Sequence, residues 1–335
     1  MTAAALLILG GFLLLVVGAE ALVRGAASLA LRLGVSALVV GLTIVACGTS
    51  APEMGVSVLA ALGGSSDIAV GNVVGSNIFN VAVILGVAAL ICPIACNAAF
   101  IRRETPLMIG VCCLVPLAAW AGAGSVGAGG MLTRWTGGAL VLLGVGYTAL
   151  MYRASRRENA KIHEQFEQGA APGEPAEKAR RRPVWADILY ILAGLALLVV
   201  GSRMLVGGAT TVARSLGVSD LVIGLTIIAG GTSLPELATS VVAALRKQPD
   251  IAVGNVVGSN IFNVLFILGV TALIEPVGVS REVMVRDVPA MIAVAALCLP
   301  MMATGRRITR TEGAVLLTAY AGYVAWLIIG ARGAI

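Results

Sequence analysis

Long apolar segments alternate with short polar ones along the whole chain. A bilayer has a hydrocarbon core of about 30 Å, which an α-helix of roughly 20 apolar residues spans. Segments of that length lie at approximately 3–23, 37–62, 68–92, 106–122, 131–152, 185–207, 220–244, 251–274, 288–304 and 311–331. The pattern predicts an all-α integral membrane protein with ten transmembrane helices.

Composition supports a membrane protein and excludes a soluble one. The chain is 59% hydrophobic and only 12% charged, with a mean hydropathy of +0.98, whereas soluble domains carry about 25% charged residues. The partner predicted first is therefore the lipid bilayer. No pattern indicates nucleic-acid binding or an obligate protein partner.

The basic residues predict how the chain crosses the membrane. Most of the 23 Lys and Arg residues fall in alternate loops and in segment 153–184. Cytoplasmic loops carry an excess of Lys and Arg, so we expect 153–184 to be cytoplasmic and both termini to lie outside. The expected location is the cell membrane, either the plasma membrane or the bacterial inner membrane.

The chain contains a strong internal repeat. Residues 41–86 align without gaps with residues 224–269, and 33 of the 46 aligned positions are identical. The repeats predict two units, 1–152 and 185–335, with five spans each. Because five is odd, the second unit must enter the membrane from the opposite side. Inverted repeats of this kind are typical of transporters and place the substrate site at the midplane between them.

The segment that joins the repeats has a different composition. Residues 153–184 are charged and rich in Gly, Pro and Glu, which predicts a solvated linker. The only histidine, His163, lies there. An intramembrane hydrolase therefore fits poorly, because no base is available to activate Ser50 or Ser233, and we predict that the protein is not an enzyme.

Each repeat carries a proline and a glutamate in the middle of an apolar span. The motifs are GTSAPE, which ends at Glu53, and GTSLPE, which ends at Glu236. Proline breaks the helical hydrogen-bond ladder and favours the first turn of a new helix, which places both glutamates near the positive end of a helix dipole. Charge at the bilayer centre costs about 2.5–3.5 kcal/mol on insertion scales. Two retained carboxylates therefore indicate a functional site.

The following span adds a polar stripe at helical spacing. Ser76 and Asn80 lie on it, and Ser259 and Asn263 are their copies. Such side chains also bond helices to each other, so a purely structural role is the alternative. Beside the glutamates, their oxygens form a set of hard ligands that suits Ca²⁺, whereas Zn²⁺ or copper would need His and Cys. No cofactor is predicted.

The paired motifs G-T-S-x-P-E and G-N-x-x-G-S-N-x-x-N resemble the repeats of the cation/calcium exchanger superfamily. They are most similar to those of its prokaryotic sodium/calcium exchanger family, and the resemblance covers all ten predicted spans. It implies alternating access, in which Na⁺ and Ca²⁺ occupy one cluster of sites in turn.

The resemblance also implies roles for individual residues. Glu53 and Glu236 would bind both ions, and Asn80 and Asn263 would fill central polar positions. Asparagine at 263, where some relatives carry aspartate, makes K⁺ cotransport unexpected. The remaining implied ligands supply hydroxyl or backbone carbonyl oxygens, namely Thr49, Thr232, Ser50, Ser233, Ser76, Ser259, Ala46 and Ala229.

Two other functions stay open at this point. A glutamate carries a proton as readily as it binds Na⁺, so H⁺/Ca²⁺ exchange is the alternative within transporters. A passive cation channel would also need buried oxygens, although channels usually build their filters from several subunits. Exchange of three Na⁺ for one Ca²⁺ at two carboxylates would move net charge, whereas exchange of two H⁺ would not.

Overall fold

A computed structural model describes residues 2–122, 129–167, 183–217, 227 and 229–333. Within these ranges the chain is almost entirely helical. The main helices are α1 (Thr2–Leu33), α2 (Ala37–Thr49), α3 (Ala51–Leu62), α4 (Ser66–Ile91), α5 (Phe100–Gly122), α6 (Arg134–Glu167), α7 (Val184–Ser215), α8 (Leu234–Leu245), α9 (Pro249–Ile274), α10 (Val283–Arg306) and α11 (Arg310–Gly333). Short strands connect their ends, namely β1 (Ile94–Ala95), β2 (Gly130–Leu132), β3 (Val277–Val279) and β4 (Arg307–Ile308).

The helices match the predicted spans closely. In the described ranges, seven helices are long and apolar enough to cross a membrane, and the bent pair α2–α3 makes an eighth candidate. Helix α11 covers the predicted span 311–331. The predicted span 220–244 lies partly outside the described residues, and its second half is α8. The chain is therefore a multi-pass integral membrane protein.

The predicted interruption of the second span is present. Helices α2 and α3 meet at Ser50 with a bend of 46°. Pro52 lies in the first turn of α3, and Pro235 takes the same place in α8. Proline has no amide hydrogen to continue the ladder but is well tolerated where a helix begins.

Helices α4 and α9 form the core of the molecule. Within their apolar windows 67% and 72% of residues are buried, which is about twice the fraction in the other candidate spans. Both contain a π-helical segment, Asn80–Leu85 in α4 and Asn263–Leu268 in α9. Such insertions are frequent at functional sites, and here they begin at the two asparagines predicted for the site.

Helices α1 and α7 pack along a seam of glycines. A Cβ atom added at Gly11 would lie 2.7 Å from the carbonyl oxygen of Gly201, and one added at Gly18 would lie 2.8 Å from that of Gly194. Small residues of this kind let membrane helices approach closely. The two 32-residue helices therefore pack as one tight pair beside the core.

The linker between the repeats is partly helical. Helix α6 continues to Glu167, so the first part of segment 153–184 extends the preceding span instead of forming a loop. Its Ala, Glu, Arg, Lys and Gln residues are good helix formers, which accounts for the difference. Residues 168–182 lie outside the described residues.

Candidate functional site

The two glutamates lie inside the protein at the broken helices. Glu53 is in the first turn of α3 and Glu236 in the first turn of α8, and each side chain is only 1% exposed. Both carboxylates therefore sit near the positive end of a helix dipole, as the sequence predicted, which favours their charged form.

Each glutamate is held by a serine of the other repeat. The Ser50 hydroxyl donates to Oε1 of Glu236 at 3.0 Å, and the Ser233 hydroxyl donates to Oε1 of Glu53 at 3.0 Å. Ser50 precedes Glu53 by three residues, a helical spacing that predicts contact with the glutamate of its own repeat. In the structure each serine instead bonds to the glutamate of the other repeat, so the two carboxylates belong to one shared site.

The threonines of the two motifs differ. The Thr49 hydroxyl donates to the carbonyl of Val45 at 3.1 Å and to Oδ1 of Asn255 at 3.2 Å. In the described part of the chain, the buried Thr232 hydroxyl oxygen has no hydrogen-bond partner. The Thr49 hydroxyl is thus used in hydrogen bonds within the protein, whereas the Thr232 hydroxyl is available to bind an ion.

The backbone carbonyls predicted as ligands lie just before the breaks. The Ala46 carbonyl accepts from the amide of Ser50 at 3.0 Å and from the Thr49 hydroxyl at 3.3 Å. Ala229 lies in the short helical segment Ala229–Gly231. Beside it, the Gly231 carbonyl accepts a bond of 2.5 Å from the Ser202 hydroxyl, which replaces the donor that Pro235 cannot supply.

The stripe on α4 and α9 also faces this site. Ser76 is buried, and its hydroxyl oxygen lies 3.4 Å from that of Ser233. The Ser259 hydroxyl has no hydrogen-bond partner in the described ranges. Ser76 is therefore joined directly to the glutamate-binding serine, and Ser259 is buried without such a contact.

The asparagines of the stripe bond across the two repeats. Asn80 donates to Oδ1 of Asn260 at 3.0 Å, and Asn263 donates to Oδ1 of Asn77 at 2.9 Å. Their own Oδ1 atoms are buried and have no partner among the described residues. Asn77 and Asn260 were not among the predicted site residues, although both stand inside the repeated motif.

The polar stripe also includes Asn72 and Asn255, for which the sequence favours bonds between helices over ion binding. Asn72 donates to the backbone carbonyl of Glu53 at 3.0 Å and to the Ser57 hydroxyl at 2.9 Å. Asn255 makes the matching bonds to Glu236 at 3.2 Å and to Ser240 at 3.0 Å. Asn72 and Asn255 thus fix the helix turns that carry the carboxylates.

The arrangement leaves a set of buried oxygens that the described protein atoms do not satisfy. An unsatisfied buried polar atom costs about 1–3 kcal/mol, so a native protein keeps several together only where something binds them. Carboxylate, amide and hydroxyl oxygens are hard ligands that suit Na⁺ and Ca²⁺. The unsatisfied atoms are Glu53 Oε2, Glu236 Oε2, Asn80 Oδ1, Asn263 Oδ1, Thr232 Oγ1 and Ser259 Oγ.

Comparison with known proteins agrees with these observations. The family model described as "Sodium/calcium exchanger protein" matches residues 3–153 and 186–329. CaxA of Alkalimonas amylolytica is 43% identical over 333 residues, covering 96% of this chain and 98% of the relative. The sodium/calcium exchanger MaX1 of Methanosarcina acetivorans is 33% identical over 357 residues, covering 97% of each chain.

A solved structure shares the fold. The sodium-calcium exchanger NCX_Mj, in crystals soaked with 10 mM Na⁺ and no Ca²⁺, superposes with a TM-score of 0.77 at 27% identity, covering 97% of this chain and 98% of that one. The resemblance inferred from the repeated motifs is therefore confirmed over both repeats. This multi-pass membrane protein belongs to the sodium/calcium exchanger family.

Proposed function

We propose that the protein exchanges Na⁺ for Ca²⁺ across the cell membrane by alternating access. Its ten helices form two inverted repeats, 1–152 and 185–335, with the linker in the cytoplasm and both termini outside. The relative MaX1 is named a sodium/calcium exchanger and the Escherichia coli relative YrbG an inner membrane protein. Both names support the proposal.

The observation that carries the proposal is the crossed pairing of serine and glutamate. Each of Glu53 and Glu236 uses one carboxylate oxygen to accept a serine bond and keeps the other oxygen unsatisfied and buried. A cation bound by the two free oxygens touches both repeats at once. Movement of one repeat against the other would then change the site while the ion is bound, which is what alternating access requires.

The remaining ligands surround the carboxylates. In this proposal Glu53 and Glu236 bind Ca²⁺ and Na⁺ in turn, with Asn80 and Asn263 beside them. Flanking Na⁺ sites use hydroxyl and backbone oxygens of Thr49, Thr232, Ser50, Ser233, Ser76, Ser259, Ala46 and Ala229. Neither a cofactor nor a partner protein is required.

The charge of the site determines whether transport responds to voltage. Two ionised glutamates neutralise one Ca²⁺, and three Na⁺ in the same cluster would leave a charge of +1. One elementary charge moved through the membrane is worth about 2.3 kcal/mol per 100 mV. We therefore propose that exchange is electrogenic.

The test is ⁴⁵Ca²⁺ uptake into proteoliposomes with each driving force applied alone. An outward Na⁺ gradient should drive uptake, and a K⁺–valinomycin potential that is negative inside should slow it, because each cycle carries net positive charge out of the vesicle. Uptake that follows a pH gradient and ignores both Na⁺ and voltage would replace Na⁺ exchange by H⁺ exchange. The unsatisfied oxygen of each glutamate favours H⁺ exchange as the second candidate function, because that oxygen can bind a proton.

Single-channel currents would indicate a channel instead.

A further inference from the structure

A cavity of about 460 Å³ leads from the candidate ion site toward one end of the helix bundle. Ser76 and Thr232 of the site lie in its wall, and so do Asp287, Tyr320 and Tyr323 at α10 and α11. Most of the other lining side chains are apolar. Among the described residues that line this passage, Asp287 is the one carboxylate and Arg286 the one cation, and Ser76 and Thr232 bring its inner end to the candidate site.

Asp287 is held firmly in place. Arg286 donates to both of its oxygens, from Nε to Oδ1 at 2.8 Å and from an Nη to Oδ2 at 3.1 Å. The Tyr323 hydroxyl donates to Oδ1 at 2.8 Å. The Asp287 side chain is 12% exposed, and each carboxylate oxygen can accept further interactions. A fixed, partly accessible carboxylate is a suitable contact for a passing cation.

A similar trio, made of an arginine, an acidic residue and a tyrosine, occurs a second time in the chain. Arg103 lies 3.5 Å from Glu104, and the Tyr147 hydroxyl donates to Glu104 at 3.1 Å. Arg103 and Glu104 correspond to Arg286 and Asp287 in the repeat alignment. The trio therefore lies outside the highly similar segments 41–86 and 224–269. In that outer part of the alignment, few other residues match.

The two trios differ in access. Glu104 is only 1% exposed, against 9% for Asp287. On the side of Glu104, α2 covers the glycines of α9, because a Cβ added at Gly258 would lie 2.6 Å from Leu42. A Cβ added at the equivalent Gly75 on α4 would have no atom within 4 Å, and Gly75 lines the cavity that contains Asp287. Gly258 and Tyr147 line a separate cavity of about 450 Å³, but Glu104 does not lie in its wall. One carboxylate thus lies on an open passage and the other is enclosed.

We propose that Asp287, positioned by Arg286 and Tyr323, is the carboxylate that a cation meets on its way from the open face to Glu53 and Glu236. Glu104, positioned by Arg103 and Tyr147, is its counterpart for the opposite face. Both act on the entry of ions and neither belongs to the transported site. The inference rests on the proposed exchange of cations.

The charges of Arg286 and Asp287 predict opposite effects for substitutions of the two residues. Arg286 and Asp287 together are neutral, so Asp287→Asn leaves a positive charge in the passage and Arg286→Gln leaves a negative one. A unit charge about 10 Å from a divalent ion changes its local concentration roughly fourfold in water and more in a protein. The effect on Na⁺ should be smaller, because the interaction energy is proportional to the charge of the ion.

The experiment measures ⁴⁵Ca²⁺ uptake in right-side-out and inside-out membrane vesicles. With Ca²⁺ added at the Asp287 face, Asp287→Asn should raise the half-saturating Ca²⁺ concentration by about fourfold or more, and Arg286→Gln should lower it. For Na⁺ added at the same face, the half-saturating concentration should change in the same directions but by smaller factors. With Ca²⁺ added at the opposite face, these two variants should keep the wild-type half-saturating concentration. Glu104→Gln should change the half-saturating concentration at that face instead.

The outcomes separate this inference from the proposed function. Wild-type vesicles without gradient-driven uptake would contradict the exchange function itself. Active wild type with unchanged half-saturation in Asp287→Asn, or with equal changes from both faces, would overturn the role of Asp287. Misfolding cannot imitate the expected result, because a destabilised Arg286→Gln protein would not bind Ca²⁺ at lower concentration.

Discussion

Asn77 and Asn260 donate to each other's backbone carbonyls, at 3.3 and 3.2 Å. The reciprocal pair joins α4 to α9 at the centre of the molecule, where both side chains are buried. The side-chain oxygens of the same residues accept from Asn263 and Asn80. Four asparagines therefore connect the repeats directly beside the candidate ion site.

The first prediction concerns this connection. Asn77→Ala should destabilise the folded protein by about 1–3 kcal/mol, because the side-chain amide of Asn263 would lose its buried acceptor and the carbonyl of Asn260 would lose one of its two donors. Thermal unfolding in detergent measures the loss. Thr318→Ala is the control, since its exposed hydroxyl bonds only to the carbonyl of Ala314 in its own helix. Equal stability of both variants would contradict a structural role for the pair.

Removal of either site carboxylate should abolish Ca²⁺ transport. Glu53→Gln and Glu236→Gln keep the shape of the side chain and the acceptor for serine but leave a single negative charge for a divalent ion. ⁴⁵Ca²⁺ uptake should fall to background while the amount of folded protein stays normal. Glu275→Gln is the control, because that side chain is 49% exposed and pairs only loosely with Arg134 at 3.9 Å. Normal uptake by either site variant would remove it from the ligand set.

The buried Ser259 hydroxyl should serve a Na⁺ site. We expect Ser259→Ala to raise the half-saturating Na⁺ concentration by about tenfold, as the loss of roughly 1.4 kcal/mol of binding would do, with a smaller change for Ca²⁺. Thr271 offers a matched control on the same helix, about 18 Å away, because its buried hydroxyl also lacks a partner among the described residues. An equal effect of Thr271→Val and Ser259→Ala would contradict the assignment.

Equivalent glycines of the two repeats should respond differently to alanine. At Gly258 a Cβ would lie 2.6 Å from the backbone of Leu42, whereas one added at Gly75 would have no atom within 4 Å. Gly258→Ala should therefore lower stability by about 1–3 kcal/mol, which is typical of overpacking. Gly75→Ala should preserve stability but slow turnover, since the same clash arises when this face closes. Full turnover of Gly75→Ala would show that Gly75 is never covered.

The distribution of basic residues predicts the orientation in the membrane. A cysteine introduced into the linker, at 168–182, should be protected from impermeant thiol reagents in intact cells, and one placed after Arg332 should be labelled. The background should be a variant without the six native cysteines, because Cys47 is exposed. The reverse labelling would invert the proposed topology.

The sequence was sufficient to predict the membrane-spanning helices that the structure describes and the position of Glu53 and Glu236 at the start of a helix. Apolar length and the ungapped repeat located the spans, and Pro52 and Pro235 located the breaks. The contacts of Ser50 could not be predicted in the same way. Helical spacing placed it beside Glu53, but the 46° bend at Ser50 turns its hydroxyl to the other repeat. Only the packing of two distant segments determines that direction.

The arginine, acid and tyrosine trios were missed for a different reason. Arg103 and Arg286 keep the spacing of the repeat, but Tyr147 and Tyr323 are separated by a shorter interval because the connections before α6 and α11 differ in length. A constant offset along the chain therefore does not align the tyrosines. Each trio becomes visible only when two helices are seen side by side.

The crossed bonds of Ser50 and Ser233 also bear on how such a chain could arise. Neither half contains both members of a serine–glutamate pair, so in the inverted arrangement proposed above an ancestor with a single motif would have had to pair with an upside-down copy of itself. Duplication within one gene makes that pairing permanent and frees each copy to diverge. Gly63 now stands opposite Arg246 in the repeat alignment, and Arg246 pairs with Glu20 of the first half at 2.7 Å. A dimer of identical copies could not acquire such one-sided contacts.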